Sequence, residues 1–378
     1  MREGWSKRKI EEIATITMGQ SPSGNSINEI NGMEFHQGKI YFGEKYIKES
    51  HFYTSDPIRF AEPNSLLLCV RAPIGVVNIT DRKICIGRGL CSIKANDSML
   101  YNFLYYAILS KKEYYNKNAT GSTFLAISSN VVKDTPISFP SKEKQCQIAS
   151  ELDKITEMIS KYDEQLKELD KLSQSIFYEM FGDPVENEKG WEVKKLEEIS
   201  REIGDGLHGT PVYTQYNTGY FFINGNNLEN GVICIKENTK MVSEDTKCKY
   251  HIDMDTSTIL VSINGTLGKT AIYNGENVIL GKSACYIKLN SDVNKVYIHE
   301  IIKSDYFKKY ANDESTGTTI KNVSLKSMRH FPIILPPLPL QQSFARKIEA
   351  IEAMKSKVRE AKKEAETLLA ARMQYWFE

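Results

Sequence analysis

Gly4-Trp5-Ser6-Lys7-Arg8-Lys9-Ile10-Glu11-Glu12-Ile13 returns 186 residues later as Gly190-Trp191-Glu192-Val193-Lys194-Lys195-Leu196-Glu197-Glu198-Ile199. Other pairs follow in order. Ser65-Leu66-Leu67-Leu68-Cys69-Val70, closed by Gly75, matches Thr258-Ile259-Leu260-Val261-Ser262-Ile263, closed by Gly268. Ile84-Cys85-Ile86-Gly87-Arg88 matches Val278-Ile279-Leu280-Gly281-Lys282, and Thr120-Gly121-Ser122-Thr123 matches Thr316-Gly317-Thr318-Thr319. Ile137, Pro140, Gln145 and Ala149 match Ile333, Pro336, Gln341 and Ala345, and the offset drifts only from 186 to 196 over the chain. Chance similarity does not keep order at a near-constant offset, so the chain is a duplicated unit.

Each copy changes texture once. Its first part is rich in Gly, Asn, Thr, Tyr and β-branched residues, with short apolar runs between turn signals. That pattern predicts strands with a few helices, such as Met99–Lys112 and Val293–Tyr310. After Pro140 the period becomes helical. Ile148, Leu152, Ile155, Ile159, Tyr162, Leu166, Leu169, Ser173, Ile176 and Met180 step by fours and threes. This is a coiled-coil seam, stopped at Gly182 and Pro184. The second seam runs Phe344, Ile348, Ile351, Lys355, Val358, Lys362, Ala365, Leu369, Arg372 and Trp376. Its lysines predict a helix that leans on a partner helix through Met354, Ala361 and Leu368 beside the seam. The expected class is α+β, with mixed domains at 1–140 and 183–336 and helices at 141–182 and 337–378. Chain direction makes packed helices antiparallel, so they would act as a ruler between two similar globules. Ser141 to Phe181 would span about 60 Å as helix. Four residues inserted after Leu166 would then lengthen the ruler, whereas two would rotate the seam by about 200°.

Composition excludes much. The 378 residues are 41% hydrophobic and 26% charged, ordinary values for a globular protein. No apolar run nears the roughly 20 residues of a membrane span, and the start lacks the apolar stretch of a secretory signal. The seven cysteines include no C-x-x-C pair, so a disulfide framework and a zinc site are both poorly supported and a cytoplasmic setting is expected. The net charge of +1 excludes a global electrostatic attraction to a polyanion; local patches must bind any nucleic acid. Two similar, diverged globules on a spacer suit a duplex read at two separated, unequal half-sites.

The whole chain resembles the specificity subunit of a type I restriction-modification system. The resemblance is carried in the first copy by Met18-Gly19-Gln20-Ser21-Pro22, Gln37-Gly38, Arg71-Ala72-Pro73-Ile74-Gly75 with Asn78, and Cys85-Ile86-Gly87-Arg88-Gly89-Leu90. In the second it rests on Asp205-Gly206-Leu207-His208-Gly209-Thr210-Pro211, Phe222-Ile223-Asn224-Gly225-Asn226-Asn227 and Asn264-Gly265. Phe181-Gly182-Asp183-Pro184 followed by Gly190-Trp191 matches the hinge. The resemblance implies two target recognition domains, a spacer set by the helices, and no catalysis by this chain. It implies double-stranded DNA and two methyltransferase subunits as partners, with restriction subunits joining through the latter. S-adenosylmethionine, ATP and magnesium would sit on those partners only. Two other classes compete: a stand-alone DNA-modifying enzyme and a coiled-coil scaffold that binds only proteins.

Candidate residues follow from chemistry. Arg71 and Arg88 end apolar runs beside glycines, where a guanidinium can fork onto guanine or clamp a phosphate. Lys269 and Lys282 stand as their counterparts and suit phosphate. Thr120, Ser122 and Thr123, with Thr316, Thr318 and Thr319, form hydroxyl-rich loops whose N–H groups can approach phosphate closely. Ser21, His36, Gln37, Lys39 and Lys45, and then His208, Thr210, Tyr213, Asn224, Asn226 and Asn227, lie in polar, glycine-punctuated stretches suited to base edges. Leu172, Ile176, Leu368 and Trp376 mix seam and flanking positions and are the candidates for partner docking. There is no Walker A loop, no H-E-x-x-H and no Asn/Asp-Pro-Pro-aromatic motif, and no histidine has metal-ligand spacing.

Overall fold

A computed structural model describes residues 3–121, 125–317 and 321–378. The chain forms two compact units, Met1–Asp163 with Arg359–Glu378, and Glu164–Val358.

In the first unit the antiparallel sheet runs Ala14–Met18, Leu90–Ala95, Ser65–Cys69, Val77–Thr80. Ile93 lies opposite both Ile16 and Leu66. Side chains alternate across the sheet. Leu66, Leu68 and Val70 enter the main core with Phe103, Leu104 and Ile108 of helix Tyr101–Leu109. Leu67 and Cys69 enter a smaller core with Ile47, Ile84 and Ile86. Both faces are covered, which is why Ser65–Cys69 is buried throughout. A five-stranded sheet lies beyond it, in which Met33–His36 and Ile84–Ile86 run parallel.

The second unit repeats the plan. Its antiparallel sheet runs Ser200–Asp205, Ala284–Leu289, Thr258–Ser262, Thr270–Ile272. Ile259, Val261 and Ile263 face the main core, while Leu260 faces the smaller one. Phe221–Ile223 pairs in parallel with Val278–Leu280, as its counterpart does in the first copy. The helices expected at Met99–Lys112 and Val293–Tyr310 are each broken in two, into Tyr101–Leu109 with Lys112–Lys117 and Lys295–Lys303 with Asp305–Asp313. At the second break Ser304 is extended, with φ −68° and ψ 164°.

Two 40-residue helices, Lys142–Phe181 and Leu338–Phe377, each run without interruption through the point where the units divide. Gly182, at φ +78°, ends the first, and the Trp191 indole donates to the freed carbonyl of Phe181 at 2.9 Å. The repeated glutamines explain each helix start. Gln145 accepts from the Leu100 N–H at 2.9 Å and donates to the Pro140 carbonyl, and Gln341 does the same with Asn294 and Pro336.

The helices pair antiparallel within each unit. Glu151 meets Arg372 and Asp163 meets Lys362 in the first, while Asp170 meets Lys355 in the second. Lys355 is only 1% exposed, with its ammonium 2.7 Å from both Asp170 and Glu352. The seam lysines are therefore accommodated by carboxylates. Met354 and Leu368, expected to supply apolar contact instead, remain about half exposed at 52% and 50%.

Candidate nucleic-acid interface

In the first unit five separate segments are knitted into one edge by backbone hydrogen bonds. Gly19 and Gln20 donate to Leu90 and Ile86, Gly87 donates to His36, and Val70 donates to Gly89. Ile127 donates to Val70, and Arg71 lies opposite Ala126, which exchanges both hydrogen bonds with Thr120. The approach is close. A Cβ on Gly19 would stand 2.2 Å from the Gly87 oxygen, which excludes any side chain there. Ser21, Gln37, Lys39, Arg71, Arg88 and Thr120 share this edge. Gln37, Lys39, Arg71, Arg88 and Thr120 are exposed, while Ser21 is half-buried and its hydroxyl accepts from the Arg88 N–H. Among the described residues no carboxylate pairs with Lys39, Arg71 or Arg88.

The second unit builds the same edge. Leu207 and Lys282 are joined through Leu280 and Leu207 carbonyls, Gly281 donates to Ile223, Ile263 donates to Ser283, and Val323 donates to Ile263. Asn264 lies opposite Asn322, which exchanges both hydrogen bonds with Thr316. A Cβ on Gly206 would meet the Leu280 oxygen at 2.1 Å. Thr210, Tyr213, Asn226 and Lys282 are exposed, as is His208, which is tied to Asp205 at 2.7 Å. Lys240 stands 4.6 Å above the Tyr213 ring, and the pair lines a cleft with Phe222, Asn224, Asn226 and Lys236.

Several expectations change. His36 is 1% exposed and bound through Nε2 to Glu34 at 2.7 Å, so it cannot reach a base. Lys45 is held by Asp153 beside the Tyr105 and Tyr106 rings. Asn227 caps the local 3₁₀ turn, accepting from the Asn224 N–H at 3.0 Å and donating to the Cys234 carbonyl. Asn224 is half-buried and accepts from Ser283. Lys269 is not the counterpart of Arg71. The bridge pattern gives that place to Asn264, one residue before Gly265, while Lys282 does match Arg88. Ser122, Thr123, Thr318 and Thr319 lie outside the described residues. The sequence reading also missed Asn322, Lys240 and Lys236, whose only signal was their polar surroundings.

The Glu34 network supports the first edge from beneath. Burial pushes the Glu34 carboxyl up, but the Arg82 fork at 2.7 Å, the Ser50 N–H and His36 outweigh it and hold the pKa at about 2. Burial lowers the His36 pKa, against the opposing pull of the Glu34 carboxylate. A depressed carboxylate stabilises the fold above its unfolded pKa and loses that contribution as pH falls toward the folded value. Glu34→Gln is therefore expected to cost roughly 3 kcal/mol at pH 7 and to flatten the loss of stability between about pH 4.5 and 2. Urea unfolding across that range measures both.

The type I restriction modification DNA specificity domain matches residues 2–171 and again 188–366. The chain belongs to the type I restriction-modification DNA specificity family. Among curated relatives, the type I restriction enzyme MjaIX specificity subunit of Methanocaldococcus jannaschii is 26% identical over 90% of this chain and 85% of its own. The MjaVIII specificity subunit of the same organism is 20% identical over 97% and 92%. The putative MjaX specificity subunit reaches 36%, but over 44% of this chain and 39% of its own length. In fold, the S subunit of a type I system from M. genitalium aligns with a TM-score of 0.57 at 17% identity, over 98% of this chain and 95% of that one. This specificity subunit thus carries two DNA specificity domains, and the two edges are their candidate DNA-facing surfaces.

On the helices of the specificity subunit, the four candidates for docking separate. Leu172 and Leu368 are 46% and 50% exposed. Ile176 packs on the core of the second unit and Trp376 on that of the first, where its indole donates to Glu151. Ile176 and Trp376 are thus largely spent within the chain. Among the described residues no helix is long and apolar enough to cross a membrane.

Proposed function

We propose that the chain reads a bipartite, asymmetric duplex target, one half-site through each edge, and directs methyltransferase subunits to it while performing no catalysis itself. One observation carries this reading: the same woven edge is built twice, with different side chains on it. Identical scaffolds bring the two surfaces to bear in the same way, and different side chains make the half-sites unequal. Two methyltransferase subunits dock on the helices, Leu172 and Leu368 supplying exposed apolar contact. Restriction subunits join through them, and S-adenosylmethionine, ATP and magnesium are held by those partners. The unread gap between half-sites follows the length of the helices.

The test is incubation with radiolabelled S-adenosylmethionine and genomic DNA. The expected result is no methyl transfer by the isolated chain, and adenine methylation at one split motif once methyltransferase is added. Transfer by the chain alone would overturn the proposal. Mass measurement of the saturated complex is expected to give two methyltransferase subunits per chain.

A further inference from the structure

We infer that residues 71 and 264 are matched base-reading positions, Arg71 taking a guanine and Asn264 with Asn322 taking an adenine, whereas Arg88 and Lys282 are matched phosphate contacts. The inference rests on the proposed DNA reading and deepens it. Its ground is a comparison between the two copies. The phosphate backbone is the same at both half-sites, so a residue that holds phosphate keeps its charge in both copies. Position 88/282 does so, as arginine and then lysine, each in the turn after the parallel strand and each exposed. A residue that reads a base changes when the base changes. Position 71/264 changes from a guanidinium to an amide although the backbone around it is the same: each lies opposite a hairpin residue, Ala126 or Asn322, that closes on Thr120 or Thr316.

The facing residue completes the argument. Residues directly opposite in an antiparallel pair present side chains on one face. Arg71 faces the methyl of Ala126, which offers no acceptor, and among the described residues its guanidinium has no hydrogen-bond or ion-pair partner. Its fork is thus available for guanine O6 and N7. Asn264 Nδ2 donates to Asn322 Oδ1 at 3.1 Å. That bond leaves one amide oxygen as acceptor and the other amide nitrogen as donor. Adenine presents the complement in the major groove, an N6 donor beside the N7 acceptor.

The experiment is selection of duplexes from a random pool by the full chain assembled with methyltransferase subunits, followed by sequencing. Arg71→Ala is expected to remove a guanine preference on the order of 10- to 100-fold at one position of one half-site. The other half-site serves as the internal control for folding. Arg88→Ala is expected to weaken selection evenly at all positions and to reduce its salt dependence. Asn264→Arg combined with Asn322→Ala is expected to replace an adenine by a guanine in the second half-site. Even weakening by Arg71→Ala with unchanged base frequencies would make Arg71 a phosphate contact and overturn the inference. So would a double variant whose second half-site is unchanged. A wild-type assembly that selects no sequence at all would overturn the proposed function as well, which separates the two failures.

Discussion

Phe344→Ala is expected to lower the stability of the second unit by about 3–5 kcal/mol, the range for deleting a large buried aromatic side chain. Phe344 is fully buried near the start of the C-terminal helix, with its ring centroid 5.2 Å from Phe181, 5.8 Å from Phe177 and 6.1 Å from Tyr297. Those partners come from the end of the central helix and from Lys295–Lys303, and the Tyr297 hydroxyl is fixed on the Ile334 carbonyl at 2.8 Å. Little can collapse into the space left, because each neighbour is itself held. Leu172→Ala, at a half-exposed position on the same central helix, should stay within about 0.5 kcal/mol. Denaturant unfolding gives the difference, and hydrogen exchange in Lys295–Lys303 locates it. Equal effects of the two substitutions would show that the aromatic cluster does not hold this unit together.

Inserting two residues after Leu166 is expected to abolish site-directed methylation. The insertion turns everything beyond it by about 200° and removes Leu169, Ser173 and Ile176 from the seam. Four residues, which sequence reasoning alone favours as a mild lengthening, are now expected to be costly when placed in one helix only. Asp163 and Asp170 are one heptad apart on one helix, as are their partners Lys362 and Lys355 on the other. An addition between one pair of anchors and not the other sets the two heptads out of step. Asp170 would then lose Lys355, and a lysine 1% exposed would keep only Glu352. Stranding a buried charge in this way costs several kcal/mol. A matched heptad added after Leu166 and after Val358 keeps both pairs. It is expected to retain methylation while lengthening the unread gap by about three base pairs, from roughly 10.5 Å of added helix. Methylome sequencing reads the spacing directly; an active matched variant with the original gap would contradict the link between helix length and spacing.

The duplication, the strands and both long helices were legible because each has a local signal: a repeated string, a period of two, a period of three and a half. What the sequence hid was pairing between distant residues. His36 and Lys45 stand among glycines and polar residues and look solvent-facing. His36 is buried and Lys45 half-buried because Arg82, 48 residues beyond Glu34, closes over one network, and Asp153, 108 residues beyond Lys45, captures the other. Lys269 is misplaced for a different reason. It follows Gly268 as a cation beside a glycine, although the repeat that sets Val70 against Ile263 already sets Arg71 against Asn264, and the bridge to Asn322 agrees with that. The seam lysines could be read as unsuited to self-pairing, but not the aspartates that meet them.

The division of the chain has a consequence for its biosynthesis. The first unit needs Arg359–Glu378, and Phe377 packs on Phe103 at 5.4 Å between ring centroids. That segment leaves the ribosome only after all of Glu164–Val358 has been made. The second unit is contiguous and can close as soon as it emerges; the first must wait with part of its apolar surface uncovered. A nascent chain stalled before residue 359 therefore holds a closed second unit and an unfinished first one, with the apolar surface around Phe103 left uncovered.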